Sequence, residues 1–439
     1  MRSKESINMG FEIIKQKIIE QGWNLDVINF GDKIDKNKYD IIGFNIFYIT
    51  HQMNLIPFLK ENYIEPLVDK RKEKPLLIAG GQGIINPLPL SEFIDVFNLG
   101  EGDINIKNIL KAYENNNMNY IKNLKGIYGK NYNDNITFAH EKEVDSKPVI
   151  FNNRSMIELT RGCKYKCKFC QYGWTSGKHK EKDIELVKNQ IDYIKNNDIN
   201  SINFLSCNIG SYSKIEELLD YCIKNKIRLL NTDIRVDEYP QIAYLLNDLK
   251  TRTLKVGLES FCEKTRKAIG KNITDEQVEI FIDTALQNNI SNLHFYLIYG
   301  LPFEDDYNKW FDYIRYTRDK IKHIERKIRL EFSIMNFEPF PYTPLKNAGL
   351  IDFNKKEDFL KDYLKVLEEV GVIQDASKKW YKNMRGRLGR KEEPYRITMW
   401  LLHGGKEVSD ILLNLNIKGV NRSIKTSLYD KLKKEGANL

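Results

Sequence analysis

Hydrophobic residues in the first hundred positions follow two alternating periods. Ile7, Phe11 and Ile14 begin an apolar stripe at helical spacing, which ends at Gly22. Short apolar runs follow, as expected for buried strands, with a second helical stripe among them. Because strands alternate with helices, we predict a doubly wound, Rossmann-like α/β domain over residues 1–112, with its ligand site at the carboxyl ends of the strands. The predicted strands span residues 25–30, 41–47, 75–81 and 95–102, and the second helix spans residues 55–64.

A second series of strands and helices begins after residue 150, and it predicts a second α/β domain over residues 151–350. Between the two domains, the turn-rich segment 113–150 is interpreted as a linker or hairpin. Residues 351–439 hold one long helical stripe and shorter apolar fragments, which predict a small, mostly helical C-terminal region. In the second domain, the predicted strands span residues 201–205, 228–235, 254–258, 293–298 and 329–335, and the clearest helices span residues 184–194, 215–223 and 275–287.

Composition agrees with this division. A chain of 439 residues is long enough for two or three domains. No apolar run approaches about 18 residues, so we expect no membrane span. The segment after Met1 is polar, and Cys207, Cys222 and Cys262 are scattered, as in proteins of a reducing compartment. We therefore expect a cytoplasmic protein.

The formal net charge of +9 is compatible with an anionic partner but is weak evidence for one. The basic stretch over residues 378–396 interleaves aromatic residues such as Trp380 and Tyr381 with cations, a pattern that suits contact with nucleic acid. A solvated basic loop explains the same pattern. Nucleic acid is therefore one candidate partner.

Three cysteines lie close together in one short segment. Cys163, Cys167 and Cys170 are spaced four and then three residues apart, so one loop can present three thiolates to a common centre. A [4Fe–4S] cluster held by three thiolates keeps one iron open for an added ligand. The alternative is a zinc site, but structural zinc normally takes four protein ligands, and the nearest candidate fourth, His179, has no regular spacing. The lysines between the cysteines either favour thiolates or form a solvated loop face.

This CxxxCxxC segment, with Phe169 before its last cysteine, resembles the signature of the radical S-adenosylmethionine (SAM) superfamily. The resemblance implies that residues 151–350 form a partial (β/α)6 barrel. It also implies a cluster that chelates SAM through its open iron, and one-electron cleavage of SAM to a 5′-deoxyadenosyl radical. An electron donor such as flavodoxin or ferredoxin is implied as a partner.

Strand ends in the second domain resemble the positions that hold SAM in this superfamily. Ser206 and Asn208 follow the strand where the family contacts the methionyl amino group. Arg235 ends the next strand, a position near the ribose or the sulfonium. Glu259, in Gly-Leu-Glu-Ser, corresponds to a residue that faces the cofactor, and Lys271 matches a basic residue that pairs with the methionyl carboxylate.

These charged residues also have ordinary structural explanations. Arg235 would pair with Asp237, and Glu259 with Lys255, as surface ion pairs of little energetic weight. His294 lies on an apolar strand and is interpreted as a core histidine. The ordered series of matches after the cysteines favours the cofactor assignment.

The first domain resembles the cobalamin-binding domain that precedes many radical SAM cores. Two features depart from that pattern: the strand expected before the first helix is missing, and no Asp-x-His-x-x-Gly segment supplies a lower cobalt ligand. The resemblance implies either cobalamin as a further cofactor or a degenerate domain that no longer binds it. The matching residues follow predicted strands, where glycine lets backbone approach a flat ligand: Gly80, Gly81, Gly100, Glu101 and Gly102.

The resulting hypothesis is a radical SAM methyltransferase that uses cobalamin to methylate an unactivated carbon. SAM would methylate cobalamin, and the deoxyadenosyl radical would abstract a substrate hydrogen before the methyl group moves. One alternative is a radical rearrangement or cross-linking reaction without cobalamin, and another is the modification of a nucleic acid. A nucleic-acid-binding protein with a structural cluster is a third hypothesis, which rests on residues 378–396. The sequence does not predict the substrate.

Overall fold

The computed structural model describes residues 8–72, 74–230, 232–371 and 392–414, together with positions 432 and 434. The chain divides into two compact units, one of residues 1–142 with 391–439 and one of residues 143–390. Of the basic stretch predicted to contact nucleic acid, residues 378–391 lie outside the described part. Across the described ranges, no helix combines the length and the apolar character that a bilayer span requires.

The first unit is built around a four-stranded sheet of order β1-β2-β3-β4. The first three strands are parallel, and the fourth pairs antiparallel with β3. Apolar side chains of β2 and β3, including Ile78 and Val96, pack against Ile109 of the helix that follows β3. The strands are β1 (Ile41–Asn45), β2 (Leu76–Gly80), β3 (Val96–Asn98) and β4 (Ile127–Tyr128), and the helices are α1 (Met9–Glu20), α2 (Leu55–Glu61) and α3 (Gly102–Glu114).

The strand predicted over residues 25–30 is wrong. This segment belongs to no strand of the described sheets, and Val27 is 45% exposed. The backbone of this segment makes a local hydrogen bond instead, since the N–H of Asn29 donates to the carboxylate of Asp32 at 2.8 Å. Alternating apolar residues favour a strand only where a neighbouring strand supplies hydrogen-bond partners. The sheet therefore begins at β1, after α1.

The second unit contains two principal sheets. One has the order β10-β9-β6-β5 and the other the order β11-β12-β13, and an isolated parallel bridge from Asp233 to Lys255 joins them. Every pairing in these sheets except β5 with β6 is parallel, as expected for an open barrel of strand–helix units. The strands are β5 (Val149–Phe151), β6 (Arg154–Glu158), β7 (Thr160–Arg161), β8 (Lys180–Glu181), β9 (Ser201–Leu205), β10 (Arg228–Leu229), β11 (Thr253–Glu259), β12 (Asn292–Tyr299) and β13 (Arg329–Asn336).

The two faces of the β11-β12-β13 sheet differ in polarity. Leu254, Phe295 and Phe332 belong to the large hydrophobic core. On the opposite face, Lys255, His294 and Glu331 form one register row. The helices of this unit are α4 (Gln171–Thr175), α5 (Ile184–Lys195), α6 (Ile215–Lys224), α7 (Tyr239–Asp248), α8 (Glu263–Ala268), α9 (Asp275–Gln287), α10 (Tyr307–Lys322) and α11 (Phe353–Glu369).

The predicted C-terminal region is shared between the two units. Helix α11 falls within the second unit, whereas α12 (Glu392–His403) and α13 (Glu407–Asn414) fall within the first. Asn86 donates a hydrogen bond to the carbonyl of Gly404 at 2.7 Å, and Ser409 donates one to the carbonyl of Pro89 at 3.0 Å. The chain therefore returns to its first unit after leaving the second.

Candidate functional site

The three cysteines lie in a loop that a short hairpin closes at its base. Strands β7 and β8 pair antiparallel, with Thr160 opposite Glu181. Gly162 has a positive φ of 73°, and a side chain there would collide with the carbonyl of Lys178. Glycine therefore permits the close crossing of the two chain segments that lead into and out of the loop.

Hydrogen bonds fix the backbone of the loop around Cys167. The N–H of Lys168 donates to the carbonyl of Ile269 at 2.8 Å, which ties the loop to the segment after α8. The indole N–H of Trp174 donates to the carbonyl of Cys167 at 3.0 Å. The N–H of Cys170 also donates to that carbonyl, at 3.1 Å. These three hydrogen bonds therefore hold the backbone of the loop at Cys167.

The three thiols have different environments. Cys163 and Cys170 are half-buried and Cys167 is buried. A hydrogen bond from Cys207, helped by the positive charges of His179 and Arg235, lowers the pKa of Cys163 to about 6. Burial raises the pKa of Cys167 to about 11, although its positive neighbours oppose the shift. A metal that binds Cys167 as a thiolate must therefore displace its proton.

The cations that act on these thiols are Arg235, which follows β10, and Lys271, in the loop between α8 and α9. Arg235 favours the charged form of both Cys163 and Cys167, and Lys271 favours that of Cys167. Two lysines of the loop are engaged elsewhere, since the ammonium of Lys166 donates to the carbonyl of Gly173 and that of Lys164 lies 3.7 Å from Oε1 of Glu181. Positive charge that favours the thiolates is therefore present, as predicted, but the buried residues Arg235 and Lys271 supply it and not the lysines of the loop.

His179, the candidate fourth ligand of the zinc alternative, is bound to an acidic residue. Its Nε2 lies 3.1 Å from Oε1 of Glu181, and its Nδ1 is buried without a hydrogen-bond partner. Within the described ranges, no three His, Cys, Asp or Glu side chains converge as ligands around one metal ion. The donor set of the loop, three thiols with compensating cations, fits a three-thiolate [4Fe–4S] cluster.

Ser206 and Asn208 lie beside this loop at the carboxyl end of β9. The hydroxyl of Ser206 is 2.7 Å from the hydroxyl of Thr160 and accepts the N–H of Asn208 at 3.1 Å. Asn208 is buried, and its amide donates to Oε2 of Glu238 at 2.6 Å. Both side chains therefore hold the strand end in place.

Arg235 is buried rather than exposed. Its guanidinium makes two hydrogen bonds of 2.9 Å to Asp237, as the structural alternative expected, but it also lies 3.8 Å from the ring centre of Tyr165. Tyr165 stands between the first two cysteines of the loop. Arg235 therefore contacts the cysteine loop directly. Because Arg235 is buried, its ion pair with Asp237 is not the surface ion pair that the structural explanation assumed.

Glu238 belongs to the site and was missed from the sequence. Its carboxylate accepts hydrogen bonds from the hydroxyl of Tyr165 and from the amide of Asn208. Burial and this acceptor raise the pKa of Tyr165. Gly210 leaves room for Glu238, because a side chain at position 210 would overlap the carboxylate. Neither residue has a spacing that connects it to the cysteines, so no linear signal predicts the contact.

Glu259 and Lys271 form an ion pair with each other. The ammonium of Lys271 lies 2.9 Å from Oε1 of Glu259 and also donates to the carbonyl of Gly257. The structural alternative expected Glu259 to pair with Lys255. Its partner is instead Lys271. Glu259 has a positive φ of 71° at an irregularity in the β11–β12 register. Such strained backbone is typical of functional sites.

Phe169 and His294 complete the set of predicted residues in this unit. Phe169 is half-buried within the loop. His294 is buried, but both of its ring nitrogens face polar groups: Nε2 is 2.9 Å from Oγ of Ser333 and Nδ1 is 3.4 Å from Oε2 of Glu331. Its ring stacks on Tyr296, with the ring centres 4.6 Å apart. His294 is thus buried on the polar face of the sheet.

In the first unit, the predicted glycines follow the carboxyl ends of β2 and β3, where neighbouring backbone crowds them. A side chain at Gly81 would come within 2.6 Å of the carbonyl of Ile46, and one at Gly100 within 2.5 Å of the carbonyl of Ala139. A Cβ at Gly80 would lie 3.0 Å from the Asn98 carbonyl, and one at Gly102 would lie 3.3 Å from the Asn98 amide nitrogen. The carboxylate of Glu101 accepts the N–H of Glu141 at 2.8 Å. Close approach of neighbouring backbone therefore accounts for Gly80, Gly81 and Gly100.

An exposed aromatic patch lies at the same end of this sheet, directly after β1. Phe47 and Tyr48 are 38% and 45% exposed. Their ring centres are 4.7 Å apart, and that of His51 is 5.0 Å from that of Tyr48. Exposed aromatic rings at the carboxyl end of a parallel sheet suit contact with a ligand. This aromatic patch was not predicted from the sequence, where glycines were the residues matched to a ligand.

Comparison with protein families matches both units. Residues 157–313 match the radical SAM superfamily, and residues 15–128 match the N-terminal region of radical SAM proteins. An uncharacterized protein of Methanocaldococcus jannaschii, MJ0966, is 25% identical over 365 residues, which cover 79% of this chain and 77% of that protein.

Two solved structures share the fold. TsrM from Kitasatospora setae, a radical SAM methyltransferase with bound tryptophan substrate and SAM analog, has a TM-score of 0.58 at 14% identity and covers 78% of this chain and 73% of its own. OxsB, a cobalamin-dependent SAM radical enzyme with bound aqua-cobalamin and SAM, has a TM-score of 0.53 at 13% identity and covers 82% of this chain and 54% of its own. The predicted α/β architecture is confirmed by this likeness.

Proposed function

This chain is a radical SAM protein, and from that premise we propose that it cleaves SAM reductively and uses the resulting 5′-deoxyadenosyl radical in the cobalamin-dependent methylation of an unactivated carbon. In this proposal Cys163, Cys167 and Cys170 hold the [4Fe–4S] cluster. The observation that carries the proposal is the cysteine loop, whose thiols lie within electrostatic reach of two buried cations, Arg235 and Lys271.

When bound, the cluster supplies one electron for carbon–sulfur cleavage and an open iron for the amino and carboxylate groups of SAM. We assign the methionyl carboxylate to Lys271. The ammonium of Lys271 is buried and already paired with Glu259, so the SAM carboxylate would replace one anionic partner by another. This exchange leaves no buried cation without a counterion. Glu259 would then be free to accept hydrogen bonds from SAM.

The remaining predicted residues position the SAM site in this proposal. Ser206 and Asn208 hold the end of β9 through their bonds to Thr160 and Glu238. Arg235 supports the loop through the ring of Tyr165. Phe169, half-buried beside the last cysteine, supplies an apolar surface. Preorganised groups of this kind lower the cost of holding SAM in a reactive geometry.

For the first unit, we propose cobalamin as the ligand, which would carry the methyl group. Two observations support this assignment. The solved structures of TsrM with bound cobalamin and of OxsB with bound aqua-cobalamin share the fold over 78% and 82% of this chain. The exposed rings of Phe47 and Tyr48 offer a surface for a planar ligand at the carboxyl end of the sheet. The glycines originally matched to cobalamin carry less weight, because neighbouring backbone explains Gly81 and Gly100.

A radical SAM enzyme also needs a reductant and a substrate. We propose a flavodoxin- or ferredoxin-like donor, since the cluster must receive one electron per SAM cleaved. The substrate is an organic molecule with an unactivated carbon–hydrogen bond.

Anaerobic reconstitution tests the proposal in two separate steps. Full-length protein is reconstituted with iron and sulfide, reduced, and supplied with SAM, and 5′-deoxyadenosine and methionine are measured by mass spectrometry. Hydroxocobalamin is then added, and bound corrinoid is measured by ultraviolet–visible spectroscopy after gel filtration. Both products and a bound corrinoid are expected.

The two steps fail independently. Absence of 5′-deoxyadenosine from protein that carries a complete cluster would overturn the radical part of the proposal. Formation of 5′-deoxyadenosine by protein that retains no corrinoid would overturn the methyl-transfer part and favour hydrogen abstraction for a rearrangement or cross-link.

A further inference from the structure

Exposed lysines are concentrated on the cysteine loop. Lys164, Lys166 and Lys168 stand between the cysteines in sequence, and Lys178 lies on the segment that leads out of the loop; all four are exposed. These four residues are called the lysine face below. Over residues 161–182 the chain carries seven lysines and arginines and a single acidic residue, Glu181. Ordinary protein surfaces intersperse the two signs of charge, so this segment differs from a merely solvated loop.

Most of the charge on the lysine face is not neutralised. The ammonium of Lys164 lies 3.7 Å from Oε1 of Glu181. Lys166 donates to the carbonyl of Gly173, which carries no net charge. Within the described ranges, Lys168 and Lys178 make no ion pair. The lysine face therefore presents positive charge to the solvent directly over the residues that carry the thiols.

An exposed aromatic ring lies beside the lysine face. The ring of Trp174 is 39% exposed, and the ammonium of Lys166 lies 5.6 Å from its centre. The indole N–H of Trp174 donates to the carbonyl of Cys167 at 3.0 Å. Tryptophan is enriched at the centres of protein interfaces, where it supplies apolar contact area. A protein that packs on this ring is thus one hydrogen bond from the backbone of a cluster cysteine.

We propose that the lysine face and Trp174 form the docking surface for an acidic one-electron carrier protein. The carrier loses one electron there and the cluster gains it. A positive patch attracts a negative partner and speeds their encounter. Weak electron-transfer complexes use small interfaces, for which one charged loop and one ring suffice.

The position of the surface favours a redox protein over a nucleic acid, although lysines around an aromatic ring suit both. A reductant must bring its redox centre close to the three thiols, and the lysine face covers the loop that holds them. Nothing requires a nucleic acid to approach that loop. The inference rests on the cluster of the proposed function but not on cobalamin or on the substrate.

The test follows reduction of the anaerobically reconstituted full-length protein by stopped-flow absorbance. Reduced flavodoxin, an acidic carrier, is the probe. Each rate is divided by the rate with dithionite, a small reductant that needs no docking surface, and iron and sulfide content is measured for each variant. K168Q/K178Q removes two charges of the lysine face. K224Q/K355Q, the matched control, removes two charges from exposed positions of α6 and α11.

At low ionic strength, we expect the rate ratio of K168Q/K178Q to fall about three- to tenfold below that of the wild type and of the control. The difference should disappear at about 1 M salt, where the screening length is about 3 Å. Isothermal titration with oxidised flavodoxin should show weaker binding by K168Q/K178Q. A mixed-sequence single-stranded RNA, followed by fluorescence anisotropy, serves as the competing probe.

The outcomes separate the docking surface from the proposed function. A rate ratio in K168Q/K178Q equal to that of the wild type, or an equal fall in the control, would overturn the docking surface and leave the proposed function intact. An unchanged ratio together with lost RNA binding would assign the lysine face to nucleic acid instead. Wild-type protein that holds no [4Fe–4S] cluster, or whose dithionite-reduced cluster does not cleave SAM, would overturn both the docking surface and the proposed function.

Discussion

The ammonium nitrogen of Lys271 lies 2.9 Å from a carboxylate oxygen of Glu259. Both residues resemble SAM-binding positions, and both act electrostatically on Cys167, where Lys271 favours the thiolate and Glu259 opposes it. A carboxylate that binds near this cysteine therefore finds a cation in place. The protein pairs Lys271 with Glu259, since a buried lysine without a partner would be strongly destabilising.

Replacement of Lys271 by methionine is expected to weaken SAM binding about 10- to 100-fold, the range of a hydrogen bond to a charged group. Methionine retains the length of the side chain but removes the charge. Isothermal titration of the reconstituted protein with SAM measures the change. K267M is the control, because Lys267 is exposed on α8 and pairs with Glu263. Equal SAM affinity in K271M and the wild type would contradict the assignment.

Glu238 is expected to govern how firmly the loop retains its cluster. E238Q removes the negative charge that accepts hydrogen bonds from Tyr165 and Asn208. We expect a loss of about 1–2 kcal/mol of stability and faster transfer of iron to a chelator. The rate of iron transfer is followed by absorbance. E216Q alters an exposed glutamate of α6 and should match the wild type. A rate in E238Q equal to that of E216Q would show that the loop is held by other contacts.

The metal-free loop is expected to show a pH-dependent difference between two cysteines. The pKa of Cys163 is lowered to about 6 and that of Cys167 is raised to about 11. Raising the pH from about 5 to about 8 should therefore increase the alkylation rate of Cys163 to a plateau, because only the thiolate reacts. The alkylation rate of Cys167 should still be rising at the upper end. Mass-spectrometric peptide mapping after iodoacetamide treatment gives both profiles, and parallel profiles would refute the difference.

Two glycines of the first unit, Gly81 and Gly43, test whether close packing requires glycine at position 81. G81A places a side chain 2.6 Å from the carbonyl of Ile46 at a φ of 108°, so we expect a loss of about 1–3 kcal/mol in stability. G43A is the matched control in β1, since a Cβ at Gly43 meets nothing within 4 Å. Denaturant unfolding of each variant measures the free energy. Equal stability of G81A and G43A would indicate that Gly81 is not required by the fold.

Regular elements with a clear period were predictable from the sequence. Strand β9 and helix α9 occupy the predicted residues 201–205 and 275–287, because their apolar faces pack into one core. The predicted strand 228–235 shortens to Arg228–Leu229 within the described part of the chain. Its apolar pattern continues beyond the point where strand pairing ends. Periodicity therefore identifies buried segments more reliably than it fixes strand ends.

Contacts between distant segments were not predictable. The cysteine spacing identified the loop, and only the family resemblance placed Arg235 and Lys271 beside it, whereas Glu238, at the start of α7, was not predicted. Glu238 is 73 residues from Tyr165, its partner in the loop. Asn86 likewise bonds to a carbonyl 318 residues away. Such pairs depend on how strands and helices are ordered in space, which hydrophobic periodicity does not encode.

The aromatic patch after β1 gives the most direct test of the cobalamin assignment. Phe47 and Tyr48 contact each other at the surface, so F47A and Y48A should each lower the free energy of unfolding by about 0.5–1.5 kcal/mol, the worth of one aromatic pair, and leave the protein folded. If their rings support a corrin, loss of either should weaken hydroxocobalamin binding several-fold, as a lost aromatic contact is worth about 0.5–1.5 kcal/mol. Binding is measured by gel filtration and absorbance. Y63A removes a ring that is 86% exposed elsewhere in the unit and should bind like the wild type. If F47A and Y48A both bind hydroxocobalamin as tightly as the wild type, the corrin does not bind at this end of the sheet.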